Sequence, residues 1–130
     1  MFKVSYRSAN RLRGVHPLLQ ACVMLAMRKY SEVDFGVGAG ALRTEQEQRM
    51  LVLSRKSKTM DSKHLPQEGG FSHAVDLYPS GYKSIEEIPE QDWVVVAAAM
   101  SRAAEDLGLA LTHGLDWGWD SPHHEIKIIT

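Results

Sequence analysis

The sequence predicts an α+β fold, about three helices packed on a small, mainly antiparallel sheet, and three observations carry that prediction. Trp93, Val96, Ala97, Met100, Ala104 and Leu107 recur at helical spacing and form one apolar stripe. Residues 73–78 and 124–128 alternate apolar and polar side chains, as half-buried strands do. Between these stretches the chain breaks into polar segments marked by glycine and proline, the signature of loops.

Taken in order, Pro17 suits a first helical position, and Leu19, Cys22, Val23, Ala26, Met27 and Tyr30 follow at helical intervals. Asp34 to Val37 reads as a short strand, and Gly36, Gly38 and Gly40 suggest that its end runs close to other backbone or to a ligand. Thr44 with Glu47 makes a capping box that opens a second helix through about Arg55, with Met50, Leu51 and Leu53 expected inside. Ser57 to Ser72, with Pro66 and Gly69-Gly70, reads as a long loop, and His73 to Tyr78 as a strand. Pro89 precedes the third helix, Gly108 is placed to end it, and strands are expected at Leu109 to Thr112 and from His124 to Ile128.

A 130-residue chain that is 44% hydrophobic and 24% charged suits one domain spanning residues 1–130. Fifteen Lys and Arg against sixteen Asp and Glu leave no basic surplus, so no nucleic-acid partner is expected. Cys22 is the single cysteine, which excludes an internal disulfide and a cysteine-based zinc cluster and suits a reducing cytoplasm. No signal-like apolar run opens the chain, and no stretch reaches the roughly 20 apolar residues of a membrane span, so no membrane anchor is expected.

The chemistry-bearing residues gather in three places. His64 lies in the long loop, His73 and Asp76 on the following strand, and Asp120, His123 and His124 where the last strand begins. A catalytic zinc takes about three N and O ligands, commonly from separate loops and strand starts. Strand periodicity turns Val75 and Leu77 one way and Ala74, Asp76 and Tyr78 the other, so Asp76 points away from the core. In the last strand His124 shares a face with Ile126 and Ile128, whereas His123 shares the opposite, polar face with Glu125 and Lys127. Scattered His and Asp residues are also what ordinary surface polarity provides, so spacing alone leaves a metal site and a hydrogen-bonded surface both open. His16 reads as a helix-start residue, His113 as a strand end, Trp93 as core, and Trp117 and Trp119 as turn residues that pack or line a cleft.

Several segments, in order, resemble the zinc peptidases that include phage L-alanyl-D-glutamate endolysins and bacterial D,D-carboxypeptidases. They are Ser8-Ala9-Asn10-Arg11-Leu12 with Gly14-Val15-His16-Pro17, Leu42-Arg43-Thr44, Ser57 to Leu65, His73-Ala74-Val75-Asp76-Leu77, and Asp116-Trp117 with Asp120-Ser121-Pro122-His123. The resemblance implies zinc held by His64, Asp76 and His123, with Asp120 as the catalytic carboxylate and Arg43 holding substrate or the transition state. It leaves Ser62 to hydrogen-bond near metal or substrate, and Asp116 to orient a ligand imidazole. Two departures stand out. The family usually spans seven residues from its first His to its Asp, whereas His64 to Asp76 spans twelve, with an insertion at Pro66 to Phe71 and Ser72 where glycine is usual. The closing turn is shortened, and His124 replaces a common aromatic residue.

The endolysin likeness implies hydrolysis of the L-alanyl-D-glutamate bond in peptidoglycan stem peptides. A D,D-carboxypeptidase and an inactive zinc-stabilised wall-binding module are the alternatives. A monomeric phage lysis protein is expected, waiting in host cytoplasm until a membrane-permeabilising partner admits it to the wall.

Overall fold

The computed structural model describes residues 1–57 and 59–127. Lys58 of the loop motif and Ile128 of the expected last strand lie outside them. Four helices and a four-stranded antiparallel sheet form an α+β fold. Helix α1 (Tyr6–Arg11) and helix α2 (Pro17–Leu25) come first, and α2 continues as a π turn, Ala26–Tyr30. Strand β1 (Phe35–Val37), helix α3 (Glu45–Leu53), strand β2 (Ala74–Pro79), helix α4 (Glu90–Leu107) and strands β3 (Leu111–His113) and β4 (His123–Ile126) follow. The strand order is β1-β2-β4-β3.

The sheet has one apolar face and one polar face. Val75 pairs with His124, and Asp76 with His123, across β2 and β4. Antiparallel partners share a face, so this register sends Val75, Leu77, His124 and Ile126 toward the helices and sets Asp76 beside His123 on the other side. The core joins Val75, Leu77 and Ile126 to Leu19, Cys22 and Val23 of α2 and Val96, Met100 and Ala103 of α4. Pro17 occupies the start of α2, with the His16 ring accepting from the Leu18 N–H. Gly108, at φ 68°, ends α4 in the left-handed conformation that glycine adopts without a Cβ penalty.

Two expectations need correction. Helix α3 begins on the capping box of Thr44 and Glu47 as read, but Met50 and Leu53 are 60% and 71% exposed, and the residue it buries is Gln48. The helix is not laid against the sheet, so its apolar positions find no core to enter; Gln48 instead ties it to the loop at Ser57 and Thr59. Helix α1 went unforeseen because its sequence, YRSANR, has no apolar stripe. Polar contacts hold it: Ser5 caps Ser8, the Ser8 hydroxyl accepts from the Val37 N–H, and Arg11 donates to the Val37 carbonyl.

The glycine reading at the end of β1 is explained by close approach. A Cβ on Gly38 would stand 2.6 Å from the Tyr78 ring and 3.3 Å from the Asp76 carbonyl oxygen, which accepts from the Gly38 N–H.

Candidate metal centre and cleft

Asp76 and His123 reach the polar face of the sheet through the register just described, and His64 is brought to them by a zipped pair of loops. The Arg43 N–H donates to the His64 carbonyl at 2.8 Å, the His64 N–H donates to the Ser62 hydroxyl at 3.1 Å, and the His73 N–H donates to the Lys63 carbonyl at 2.8 Å. A loop without periodicity is thereby fixed at both ends.

The three side chains converge on one point. Their ligand atoms lie within 4.8 Å of one another, and they are the one such group of three among the described residues. His64 Nε2 stands 3.4 Å and His123 Nδ1 3.5 Å from Asp76 Oδ1. Tetrahedral zinc with bonds of about 2.0–2.2 Å sets its donors about 3.3–3.6 Å apart, so both spacings match a metal's coordination edges. Asp76 Oδ1 is also buried without a hydrogen-bond partner, an arrangement that is costly unless something positive completes it. Residues and group fit.

The remaining ring nitrogens fix the tautomers. His64 Nδ1 donates to the Ala41 carbonyl at 2.8 Å, leaving Nε2 with its lone pair toward the cluster. His123 Nε2 donates to Glu125 Oε1 at 2.7 Å, leaving Nδ1 as the inward donor. Asp116, read from the resemblance as the residue orienting an imidazole, is exposed on the 3-10 turn Gly114–Trp117. Both orienting positions are already taken, by Ala41 and Glu125.

Electrostatics follow from this crowding. Burial works to raise the Asp76 carboxyl, but the His123 and His64 imidazoles outweigh it and hold Asp76 well below the usual carboxylate range. Burial works to lower His123, but the Asp76 and Glu125 carboxylates, helped by Asp120, lift it to about 9. Asp120 is pushed upward, first by burial and then by the charge of Asp76, against the pull of His123. Its Oδ2 stands 3.8 Å from His123 Nδ1, at the rim of the cluster rather than within it.

A cleft of about 620 Å³ opens over these groups. Arg43 lines it with one guanidinium nitrogen 3.8 Å from Asp76 Oδ2 and another donating to Gln48 Oε1 at 3.0 Å. Ser62, Tyr78, Trp117 and Trp119 also line it, and the Trp117 ring lies 5.1 Å from that of His123.

The other histidines stand apart from the cluster. His73 packs its ring 5.4 Å from His16, and His124 is buried on the core face, where its Nδ1 meets His113 Nδ1 at 2.8 Å. Burial holds His124 down at about 3, so it is neutral. The Pro66 to Phe71 insertion lines no part of the cleft among the described residues; it folds on itself through Gln67 N–H to the Phe71 carbonyl and sets Phe71 against His16.

A His-Asp-His cluster with both imidazoles buried, in an open cleft on the polar face of a one-sided sheet, defines a protein with a site that could hold a metal ion. The comparisons narrow this class. A family model described as phage L-alanyl-D-glutamate peptidase matches residues 1–130, and the chain belongs to that family. Its fold is similar to the crystal structure of the L-Ala D-Glu endopeptidase ChiX of Serratia marcescens, with a TM-score of 0.78, 36% identity, and coverage of 94% of this chain and 87% of that one. Among curated proteins no match is found.

Proposed function

We propose that this protein is a zinc-dependent endopeptidase that hydrolyses the L-alanyl-D-glutamate bond of peptidoglycan stem peptides. The observation that carries the reading is the donor cluster of His64, Asp76 and His123, with both imidazoles at a metal's edge length from Asp76 Oδ1 and the group left open toward the cleft. Family membership and the likeness to the Serratia endopeptidase support the choice of bond.

His64, Asp76 and His123 would hold the zinc ion, which would supply Lewis acidity toward a water and a peptide carbonyl. The protein's own groups handle the protons and the charge. Asp120 takes a proton from the attacking water and returns it to the departing amine, and its raised proton affinity suits both halves of that task. Arg43, braced by Gln48, presents a fixed positive charge to the developing oxyanion or to a substrate carboxylate. Ser62 accepts from the His64 N–H and keeps its own hydroxyl proton for substrate. The biological setting in this reading is phage lysis, with a single-domain monomer admitted to the wall by a membrane-permeabilising partner.

Mass spectrometry of digested peptidoglycan tests the reading. New D-glutamate amino termini are the expected result. Free D-alanine alone would assign a D,D-carboxypeptidase, and unchanged muropeptides with zinc-loaded protein would assign a wall-binding module.

A further inference from the structure

The cleft is chemically lopsided. Arg43, Lys56 and Lys63 line it, Arg43 beside Asp76 of β2, and Asp61 lines it with them. On the β4–β3 side stands the 3-10 turn after β3 and the segment following it, carrying Trp117 and Trp119. The two indoles stack with centroids 5.7 Å apart and planes 30° apart, and Trp117 also touches the His123 ring. They remain 40% and 58% exposed, in a cleft otherwise lined with charged and polar groups.

A stem peptide is lopsided in the same sense. Beyond the scissile bond it carries the D-glutamate α-carboxylate and further carboxylates, whereas before the bond L-alanine is joined through an amide to an uncharged amino sugar. Carboxylates match the Arg43, Lys56 and Lys63 side. A pyranose face, with its row of polarised C–H groups, matches the electron-rich face of an indole. Resting on the endopeptidase reading above, we infer that Trp119, backed by Trp117, is a platform for the muramic sugar joined to the L-alanine. The enzyme therefore prefers stem peptides still attached to glycan over free peptides, and the sugar sets which way the peptide lies across the metal.

The test uses two substrates that differ in the sugar alone: N-acetylmuramoyl-L-alanyl-γ-D-glutamyl-diaminopimelate and the same tripeptide carrying an N-acetyl group. Wild-type kcat/KM is expected to be about 10-fold higher for the muramoyl compound, the scale of one good aromatic contact, and the difference to lie in KM. Trp119→Ala is expected to bring that ratio to within about 2-fold, and Trp119→Phe, which keeps an aromatic face, to retain most of it. Equal wild-type rates on both compounds, or a Trp119→Ala variant that slows both and keeps the ratio, would overturn the platform while leaving the endopeptidase intact. Cleavage of neither compound by the zinc-loaded wild type would remove the endopeptidase reading and the platform with it.

Discussion

His123 sits among three carboxylates, and each acts on it differently. Asp76 shares the inward point with its Nδ1, Glu125 accepts a hydrogen bond from Nε2, and Asp120 stands at the rim. Because Glu125 holds both the tautomer and the ring plane, Glu125→Ala is expected to lower zinc affinity about 10- to 100-fold with the fold retained. Asp116→Ala is expected to leave it unchanged. Competition against a chromophoric chelator measures both, and the reverse ordering would return the orienting role to Asp116. Much of this was readable beforehand: alternation alone put Asp76, His123 and Glu125 on polar strand faces, and Glu125 needed only the step from His123 to its neighbour two residues on. His64 was not readable from spacing, because a loop has no period, and its choice rested on resemblance. Ala41 was hidden for a related reason, since His64 is brought near it only when two loops close on each other.

Among the elements, the 3-10 turn at Gly114–Trp117 does most to shape the site. A Cβ on Gly114 would lie 2.0 Å from the Asp120 carbonyl oxygen and 2.9 Å from His123 Cβ, and the first of these is backbone that cannot rotate away. Gly114→Ala is therefore expected to displace Asp120 and to cut turnover well beyond its stability cost of about 1–3 kcal/mol. Gly81→Ala serves as the control. Gly81 has φ 95° and open space around it, so alanine there is expected to add backbone strain of about 1 kcal/mol with no effect on turnover. Turnover and thermal unfolding of both variants check this, and equal turnover would refute the role of the close approach. Helix α4 and strands β2 and β4 were legible because each packs on the core and shows a clean period. Helix α3 was legible in its capping box and not in its burial, because it rests on a loop.

For the whole molecule, the metal-free cluster ties stability to pH. The raised His123 contributes stability that is fully present below its unfolded value of about 6.5 and is lost as pH rises through its folded value of about 9. The depressed Asp76 contributes stability present above its unfolded value of about 3.9 and lost as pH falls toward its folded value. Buried His124, held down at about 3, acts the other way and costs stability as pH falls below its unfolded value of about 6.5, so metal-free protein is expected to melt highest near pH 6.5 and lower toward both pH 4 and pH 9. Zinc must displace the His123 proton, so its gain in Tm should grow over that upper range. A gain that stays flat from pH 6 to 9 would contradict the arrangement. The central claim is that His64, Asp76 and His123 hold the metal while Asp120, beside them, moves the proton. Zinc content and turnover of Asp120→Asn, measured on one preparation, test it most directly. The account predicts about one zinc per chain with turnover lower by at least about 100-fold, since an amide cannot accept the proton; full zinc with nearly full turnover, or loss of zinc together with activity, would contradict it.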